Sequence, residues 1–331
     1  MQTPLRSPHS SQSHSSPVTA EAIRVTGIVQ GVGFRPTVYR LAQGCGLGGE
    51  VCNDGEGVLI RVVGTIEAIN TFVDRLQAEC PPLAQIEAIY RTPLNEIPHY
   101  QEFKISHSVR TAIHTGIAPD AATCPQCRAE TLDPLSRWYR YPFTNCTHCG
   151  PRLSIVKAIP YDRINTSMAS FQMCPECARE YGTVTDRRFH AQPVACPQCG
   201  PKVWLVRGEN RSIELEQILD RESDPMEATV SLLQQGAILA IKGMGGFHLA
   251  CDATNETAVQ QLRQRKHRYH KPFALMARDL EIIDRYCWIN EKEKTLLQSP
   301  IAPIVLLTRK QQESASFSPI APTVAPGMTT L

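Results

Sequence analysis

Residues 123–151 read TCPQCRAETLDPLSRWYRYPFTNCTHCGP, and residues 173–201 read MCPECAREYGTVTDRRFHAQPVACPQCGP. Each stretch holds two Cys-x-x-Cys pairs, and every cysteine of the first stretch recurs 50 positions later in the second. Such a repeat is typical of a duplicated structural unit. The eight cysteines are Cys124, Cys127, Cys146, Cys149, Cys174, Cys177, Cys196 and Cys199. The pattern predicts two copies of one four-thiol unit.

Four thiolates are the ligand set of a closed, tetrahedral structural zinc site. A two-residue gap lets a tight turn direct two sulfurs at one ion, and the 18 residues between the pairs let the chain return with two more. A sequential arrangement puts the first four cysteines on one Zn²⁺ and the last four on another. A nested arrangement, with the outer pairs on one ion and the inner pairs on the other, uses the same cysteines and stays open here. Both ions are expected to be structural, because four thiolates leave no position for water.

Disulfide bonds are the competing interpretation of the cysteines. Residues 1–20 are rich in Ser, Pro and His, so we expect a disordered tail, and they lack the apolar segment of an export signal. The thiols are therefore expected to stay reduced in the cytoplasm.

No apolar run approaches the roughly 20 residues of a membrane span. A net charge of +2 gives no overall electrostatic case for nucleic acid.

Residues 21–107 are predicted to form one domain of alternating strands and helices. Its hydrophobic spacing and turn residues predict strands at Glu21–Gln30, Val51, Val58–Val63, Ile86–Arg91 and Glu102–Ser106, and helices at Arg35–Gln43 and Thr65–Glu79. The resulting order begins β-α-β-β-α-β, which is the ferredoxin-like arrangement.

A glycine-rich turn joins the first predicted strand to the first predicted helix. It consists of Gln30, Gly31, Val32, Gly33 and Phe34, and Arg35 follows. Converging backbone N–H groups and a helix N-terminus favour a small anion, and a guanidinium matches the geometry of a phosphate. A plain tight turn is the other interpretation of such a loop. Asn53, in Asn53-Asp54-Gly55, is equally typical of a β-hairpin turn.

The stretch Val29–Arg35 resembles the signature of the acylphosphatase family, small enzymes of the ferredoxin-like fold, and Val51–Gly55 resembles their second motif. The resemblance implies that Arg35 binds the phosphate of an acyl phosphate, together with the glycine-rich turn. It also implies that Asn53 orients the attacking water. The two motifs together favour a catalytic site over two unrelated turns.

Residues 108–204 are predicted to be a double zinc-finger domain, 205–225 a linker and 226–331 a third, α/β domain. For the third domain we expect helices at Met226–Gln235 and Glu256–Arg268, and strands at Ala237–Ile241, from Lys271 onward and at Pro303–Leu307. Basic residues cluster in the last turns of the second helix and just after it: Arg263, Arg265, Lys266, Arg268 and Lys271. Such a cluster is typical of a solvated helix face, or of a site for a polyanion such as nucleotide phosphates or RNA.

The third domain resembles the YrdC-like domain of threonylcarbamoyl-AMP synthases. The resemblance implies that Lys266, Arg268 and Lys271 bind the phosphates of ATP. Lys242-Gly243 replaces the Pro-Thr pair that those synthases carry after the first strand, which favours an acyl donor smaller than one built on threonine. The chain ends at Leu331, before the Ser-Asn motif of that family, so the nucleotide site is expected to be incomplete.

Taken in order, the three regions resemble the HypF family, the carbamoyltransferases of nickel–iron hydrogenase maturation. The resemblance implies a multidomain α+β protein with an acylphosphatase domain, duplicated four-cysteine fingers and a truncated YrdC-like domain. It implies hydrolysis of carbamoyl phosphate, formation of carbamoyl adenylate from ATP with Mg²⁺, and transfer to a cysteine of the partner protein HypE. We expect these 331 residues to retain only the acylphosphatase step.

A different function, RNA binding through zinc ribbons, is the alternative interpretation. Aromatic and arginine side chains adjoin the cysteines at Trp138–Phe143 and at Arg187–His190. Such residues stack on bases in single-stranded nucleic-acid sites. They are also typical of packing around metal sites, which is the interpretation we favour.

Overall fold

The structure is a computed structural model that describes residues 17–109, 111–206 and 224–310. The chain forms two compact units. The first unit runs to Ile117 and also takes in Ile159–Tyr161, and the second comprises Ala118–Ala158 and the chain from Asp162 onward. The predicted tail up to residue 16, most of the predicted linker and the last 21 residues lie outside the described residues.

The first unit is a five-stranded sheet with two helices. Its elements are β1 (Val18–Ile28), α1 (Phe34–Gly44), β2 (Gly48–Asp54), β3 (Gly57–Thr65), α2 (Ile66–Ala78), β4 (Gln85–Pro93) and β5 (Phe103–Ile105). The strand order is β4-β1-β3-β2-β5, with β5 parallel to β2 and the other neighbours antiparallel. The predicted ferredoxin-like fold is confirmed. β1 begins three residues before the predicted Glu21, so it takes in residues that we had assigned to the tail.

Helical periodicity explains how both helices pack. In α1 the buried Val38 and Leu41 are three residues apart, and in α2 the buried Ile69, Phe72 and Leu76 are separated by three and four residues. Side chains three and four apart share one face of a helix, so each helix buries one apolar stripe. Thr65 caps the N-terminus of α2 by accepting a hydrogen bond from the backbone of the third helical residue.

Strand register places the two predicted catalytic motifs at one end of the sheet. β1 pairs with β3 so that Val25 lies opposite Val58, and β2 pairs with β3 so that Asp54 lies opposite Gly57. The loop that follows β1 therefore emerges beside the β2–β3 hairpin. Two sequence segments more than 20 residues apart are brought together by backbone pairing alone.

The two cysteine repeats have matching secondary structure. Helix α3 (Pro125–Leu132) and helix α4 (Pro175–Gly182) start 50 residues apart, each directly after the first cysteine of its repeat. Proline suits the first turn of a helix, where its missing N–H is no loss. Short 3-10 helices at Leu153–Ile155, Arg163–Asn165 and Ser167–Ser170 lie between the repeats. The predicted duplication is confirmed at the level of the backbone.

The remainder of the second unit combines short helices with two pairs of short strands. Its elements are α5 (Pro225–Gln234), β6 (Leu239–Gly243), β7 (Gly246–Ala250), α6 (Glu256–Lys266), α7 (Leu280–Tyr286), β8 (Cys287–Trp288), α8 (Glu291–Leu297) and β9 (Thr308–Arg309). β6 pairs with β7 and β8 with β9, both antiparallel. The glycine-rich stretch that ends β6 and begins β7 is thus part of a β-hairpin, with Met244 and Gly245 as its turn.

Two predicted strands of this region are wrong. The chain after Lys271 forms no strand within the described residues, and the stretch Pro303–Leu307 contributes a single bridge residue. The reason for the first is visible in its hydrogen bonds, because the carbonyl of Lys271 accepts from the side chain of Arg263 at 3.0 Å. A side-chain donor therefore satisfies the carbonyl that would otherwise accept a hydrogen bond from a neighbouring strand.

Within the described residues, none of the helices combines the length and the apolar character needed to cross a membrane. The longest is α2, with 13 residues.

Replacing Gly27 by alanine tests the register between β1 and β4. Gly27 has a φ of +113°, and a Cβ there would lie 2.2 Å from the carbonyl oxygen of Gln85. Such a backbone conformation costs a non-glycine residue about 1–3 kcal/mol. We expect amide hydrogen exchange in β1 and β4 to become roughly 5- to 150-fold faster. Gly116→Ala is the control, because no atom lies within 4 Å of its added Cβ. Equal exchange in the two variants would contradict the prediction.

Candidate functional site

The side chains of Arg35 and Asn53 meet at the end of the sheet where the two motifs lie. With its amide oriented so that the oxygen faces the guanidinium, Asn53 accepts hydrogen bonds from Nε of Arg35 at 3.2 Å and from Nη2 at 3.3 Å. Arg35 is 8% exposed and Asn53 is 1% exposed. The structure therefore brings together the two residues that the sequence singled out as catalytic.

One hydroxyl and one backbone carbonyl also accept hydrogen bonds from the terminal nitrogens of the guanidinium. Nη1 of Arg35 donates to Oγ of Ser108 at 3.2 Å, and Nη2 donates to the carbonyl oxygen of Tyr161 at 3.2 Å. Sequence analysis missed both partners. They lie 73 and 126 residues from Arg35, and no local motif marks either.

The glycine-rich turn has the backbone conformation that an anion site requires. Gly31 has a φ of 75° and Gly33 a φ of 78°, values that side-chain-bearing residues rarely adopt. Gly33 is the N-cap of α1, and no side chain caps that helix end. The first turn of α1 also contains no acidic residue. Its backbone N–H groups and the positive end of the helix dipole therefore suit a phosphate.

The other members of the turn contribute through the backbone, not through their side chains. Val32 and Phe34 are buried, at 0% and 1% exposed, so their side chains belong to the core. Gln30 is also buried, and its side chain turns inward. Its Nε2 donates to the carbonyls of Asp54 at 2.7 Å and Gly57 at 2.9 Å, while its Oε1 accepts from the backbone N–H of Tyr161 at 3.0 Å. Gln30 thus fastens the turn to the hairpin.

An ion pair neutralises the acid next to Asn53. Nη1 of Arg24 lies 2.6 Å from both carboxylate oxygens of Asp54, whose side chain is 6% exposed. Oδ1 of Asp54 also accepts from the backbone N–H of Glu56 at 2.9 Å. An uncompensated carboxylate here would repel a phosphate. The arginine removes that repulsion.

The eight repeated cysteines form two clusters in the sequential arrangement. Within each cluster the four sulfur atoms lie within 4.8 Å of one another. The separations of Cys124 from Cys146 and of Cys174 from Cys196 are both 3.7 Å. The clusters are Cys124, Cys127, Cys146, Cys149 and Cys174, Cys177, Cys196, Cys199. The nested arrangement, which the spacing left open, does not occur.

The sulfur geometry fits a tetrahedral zinc ion. A tetrahedron with Zn–S distances of about 2.3 Å has S···S edges of about 3.8 Å. The separations of Cys146 from Cys149 and of Cys196 from Cys199 are both 3.8 Å. A disulfide needs about 2.05 Å, and all these cysteines are free thiols. The residues present would therefore hold two ions, and the four-thiolate donor set supports structural zinc.

The two clusters differ in the side-chain hydrogen bonds made to the backbone of the second Cys-x-x-Cys pair. In the first repeat Arg152 is 1% exposed and donates to the carbonyls of Cys149 at 3.0 Å and Cys146 at 3.1 Å. Lys202 occupies the equivalent position of the second repeat and is exposed. The copies have therefore diverged around one common metal geometry.

Trp138, one of the aromatic residues beside the cysteines, is engaged in packing. Trp138 is 6% exposed, and the guanidinium carbons of Arg137 and Arg188 lie 3.9 Å and 3.5 Å from the centre of its ring. A ring enclosed between two guanidinium groups has no face for a base. The geometry therefore favours the packing interpretation over RNA stacking.

The three predicted nucleotide-binding residues lie at and after the C-terminus of α6. Lys266, Arg268 and Lys271 are all exposed. The buried Arg263 organises this turn, because its Nη1 donates to the carbonyls of Arg268 at 2.8 Å and Lys271 at 3.0 Å. The guanidinium of Arg263 also lies over the ring of Phe273, 4.6 Å from its centre. Sequence analysis counted Arg263 among the surface charges and missed this role.

Family comparisons match three regions of the chain. The acylphosphatase family matches residues 21–105, and the HypF finger family matches residues 123–156 and 173–206. The Sua5/YciO/YrdC family, described as telomere recombination, matches residues 231–331. These three matches correspond to the fold class predicted from the sequence.

Individual proteins match across nearly the whole chain. Carbamoyltransferase HypF2 of Cupriavidus necator is 50% identical over 302 residues, which cover 91% of this chain and 37% of that protein. Carbamoyltransferase HypF of Rhodobacter capsulatus is 48% identical over 311 residues, which cover 93% of this chain and 39% of that protein.

A solved structure gives the same result in three dimensions. The crystal structure of full-length HypF in its phosphate- and nucleotide-bound form superposes with a TM-score of 0.85 and 41% sequence identity. The superposition covers 96% of this chain and 40% of that chain. The present sequence thus spans about two fifths of the length of these relatives. Domain content, sequence and structure together place it, over that span, in the HypF family of carbamoyltransferases.

Proposed function

We propose that this chain hydrolyses carbamoyl phosphate to carbamate and inorganic phosphate, with Arg35 and Asn53 as the catalytic pair. The observation that carries the proposal is the contact between the Arg35 guanidinium and the Asn53 amide beside an uncapped helix N-terminus. Arginine supplies a rigid, permanently charged fork for a phosphate, and the asparagine is a neutral group that orients a water molecule.

In the proposed reaction the phosphate lies against the backbone N–H groups of the Gly31–Gly33 turn and the guanidinium of Arg35. Asn53 holds a water molecule in line with the bond to be broken. The water oxygen forms a new bond to phosphorus as the bond between phosphorus and the carbamoyl oxygen breaks, and carbamate leaves with the electron pair. An acyl phosphate already carries a good leaving group, so positioning and charge neutralisation are the main contributions that the protein has to make.

The later steps are proposed from the resemblance to the HypF family that the sequence motifs carry. A carbamate oxygen would attack the α-phosphorus of ATP, accompanied by Mg²⁺, to give carbamoyl adenylate, and pyrophosphate would leave. The exposed cations Lys266, Arg268 and Lys271 would bind the ATP phosphates. The sulfur of a HypE cysteine would then attack the carbamoyl carbon, and AMP would leave. The eight reduced thiols favour a reducing compartment such as the cytoplasm.

Arg35→Ala should lower the rate of phosphate release from carbamoyl phosphate by at least ~100-fold, because it removes a charged donor that acts on the transferred group. Arg35→Lys should still lose roughly 10-fold or more, since a point charge cannot replace a bidentate fork. The measurement is phosphate release against carbamoyl phosphate concentration, with zinc content determined on the same sample.

Arg40→Ala is the matched control. Arg40 lies on the same helix, its side chain is 56% exposed, and it pairs with Glu79 at 3.1 Å. It should keep the wild-type rate within about twofold, because exposed pairs of this kind contribute little. A wild-type rate in Arg35→Ala, or equal losses in the alanine variants of both arginines, would refute the assignment.

Gln30→Met should separate positioning from binding. The replacement preserves the volume but leaves two buried carbonyls and one buried N–H without the partners that Gln30 provides, at about 1–3 kcal/mol each. A displaced hairpin carries Asn53 with it, so we expect kcat to fall by roughly 10- to 100-fold. Hydrogen exchange at Gly55–Gly57 should also become faster. Gln43→Met, at an exposed position of α1, should change neither quantity, and a similar result for Gln30→Met would sink the idea.

A further inference from the structure

Each cysteine repeat contributes an arginine side chain that contacts a cysteine of the other repeat. We call residues 123–151 the first finger and residues 173–201 the second finger. Arg137 in the first and Arg187 in the second occupy equivalent positions, 50 residues apart. Nη2 of Arg187 donates to the sulfur of Cys127 at 3.1 Å, and Nη2 of Arg137 donates to the sulfur of Cys177 at 3.4 Å. Each arginine thus contacts the metal cluster of the other finger.

A glutamate holds each of these arginines in place, again across the two fingers. Glu130 of the first finger pairs with Arg187, and Glu180 of the second finger pairs with Arg137. The glutamates are also 50 residues apart, and each lies three residues after a cysteine whose sulfur accepts from the crossed arginine. The carboxylate orients the guanidinium, so its remaining N–H groups point at the sulfur.

A third pair of contacts between the fingers is also related by the 50-residue repeat. Trp138 and Arg188 are equivalent residues, and they stack on each other. Nε1 of Trp138 donates to the carbonyl of Ala195 at 3.1 Å, and Nε of Arg188 donates to the carbonyl of Asn145 at 3.1 Å. Ala195 and Asn145 are themselves equivalent positions. Contacts that map onto themselves when the copies are exchanged are the mark of a two-fold interface.

Charge explains why the crossed donors matter. Four thiolates around one divalent cation carry a formal net charge of −2. Cys127 and Cys177 are both 0% exposed, so water cannot solvate that charge at these sulfurs. Burying uncompensated charge is costly, whereas hydrogen bonds from an outer shell to metal ligands raise metal affinity. A guanidinium supplies both a positive charge and a directed donor.

We propose that Arg137 and Arg187 are crossed positioning residues: Arg187 stabilises the ion of the first finger, and Arg137 stabilises the ion of the second. Neither finger then has a complete environment for its own metal. Each ion thus depends on an arginine of the other finger, and this property does not depend on the reaction proposed for the first unit.

The test uses the full 331-residue chain loaded with cadmium-113, whose two four-sulfur sites give separate NMR signals. Each signal is assigned by its coupling to the cysteine protons, and a chelator is then titrated in. Removing a donor from the outer shell typically lowers metal affinity by about 10- to 100-fold. Arg187→Gln should therefore weaken the ion of the first finger by that factor and leave the second within about threefold. Arg137→Gln should give the opposite pattern.

Exposed arginines within the fingers provide the controls. Arg128 lies next to Cys127 in the first finger, and Arg179 lies two residues after Cys177 in the second. Their glutamine variants remove the same charge without a crossed contact, and both ions should stay within about threefold of wild type. The proposal is overturned if Arg137→Gln or Arg187→Gln weakens the ion of its own finger, weakens both ions equally, or matches the controls.

Lysine variants keep the test decisive if a glutamine variant fails to load metal. Arg187→Lys and Arg137→Lys retain the positive charge but lose the fork. Each should therefore weaken the ion of the other finger more than the ion of its own finger, by a smaller factor than the glutamine variant. Equal losses at both sites in the lysine variants would show a general packing defect and overturn the proposal.

Discussion

The antiparallel pairing of β1 with β3 is the constraint on which the candidate catalytic site depends. It fixes Val25 opposite Val58, and the turn after β1 and the β2–β3 hairpin consequently leave the sheet at the same end. Gln30 then connects the turn to the hairpin, because its side chain donates hydrogen bonds to two hairpin carbonyls. A slip of one residue would reverse the faces of β1 and carry Arg35 away from Asn53. The site is therefore a property of the sheet more than of either loop.

The two fingers are held together by a different kind of constraint. Each repeat encloses its own four sulfurs, yet the charged donors nearest to those sulfurs come from the other repeat. Buried thiolates tolerate their charge when cations and hydrogen-bond donors surround them. Arg152 provides part of this order within the first repeat alone, where it binds the carbonyls of the second cysteine turn. Each copy therefore places a charged donor beside the sulfurs of the other.

Much of this arrangement could be predicted from the sequence, because it rests on local signals. Short segments of sequence are enough to recognise the cysteine repeat, the order of the first strands and helices, and the family motifs around Arg35 and Asn53. The contacts of Arg35 with Ser108 and Tyr161 could not be predicted, since chain folding alone brings such distant residues together. Spacing could not choose between sequential and nested clusters, because both satisfy the same gaps.

The errors have equally specific causes. A strand was expected after Lys271, but Arg263 supplies its carbonyl with a side-chain donor, and periodicity carries no information about that competition. The sequence does not single out Arg137, and it marks Arg187 only as one of the arginines that adjoin the cysteines. Their roles emerge only when the two repeats face each other. Side-chain hydrogen bonds between distant segments are thus where sequence reasoning failed.

The proposed function requires a phosphate to bind against Arg35 and the glycine-rich turn, next to the position where Asn53 holds the attacking water. NMR of the Arg35 Nε–H and Asn53 side-chain amide signals during titration with inorganic phosphate tests it directly. Both signals should shift together and saturate with a single Kd, while the backbone N–H signals of Gly31 and Gly33 shift in parallel. Phosphate that shifts only the signals of Lys266, Arg268 and Lys271, or that shifts Arg35 and Asn53 with different dissociation constants, would contradict the account.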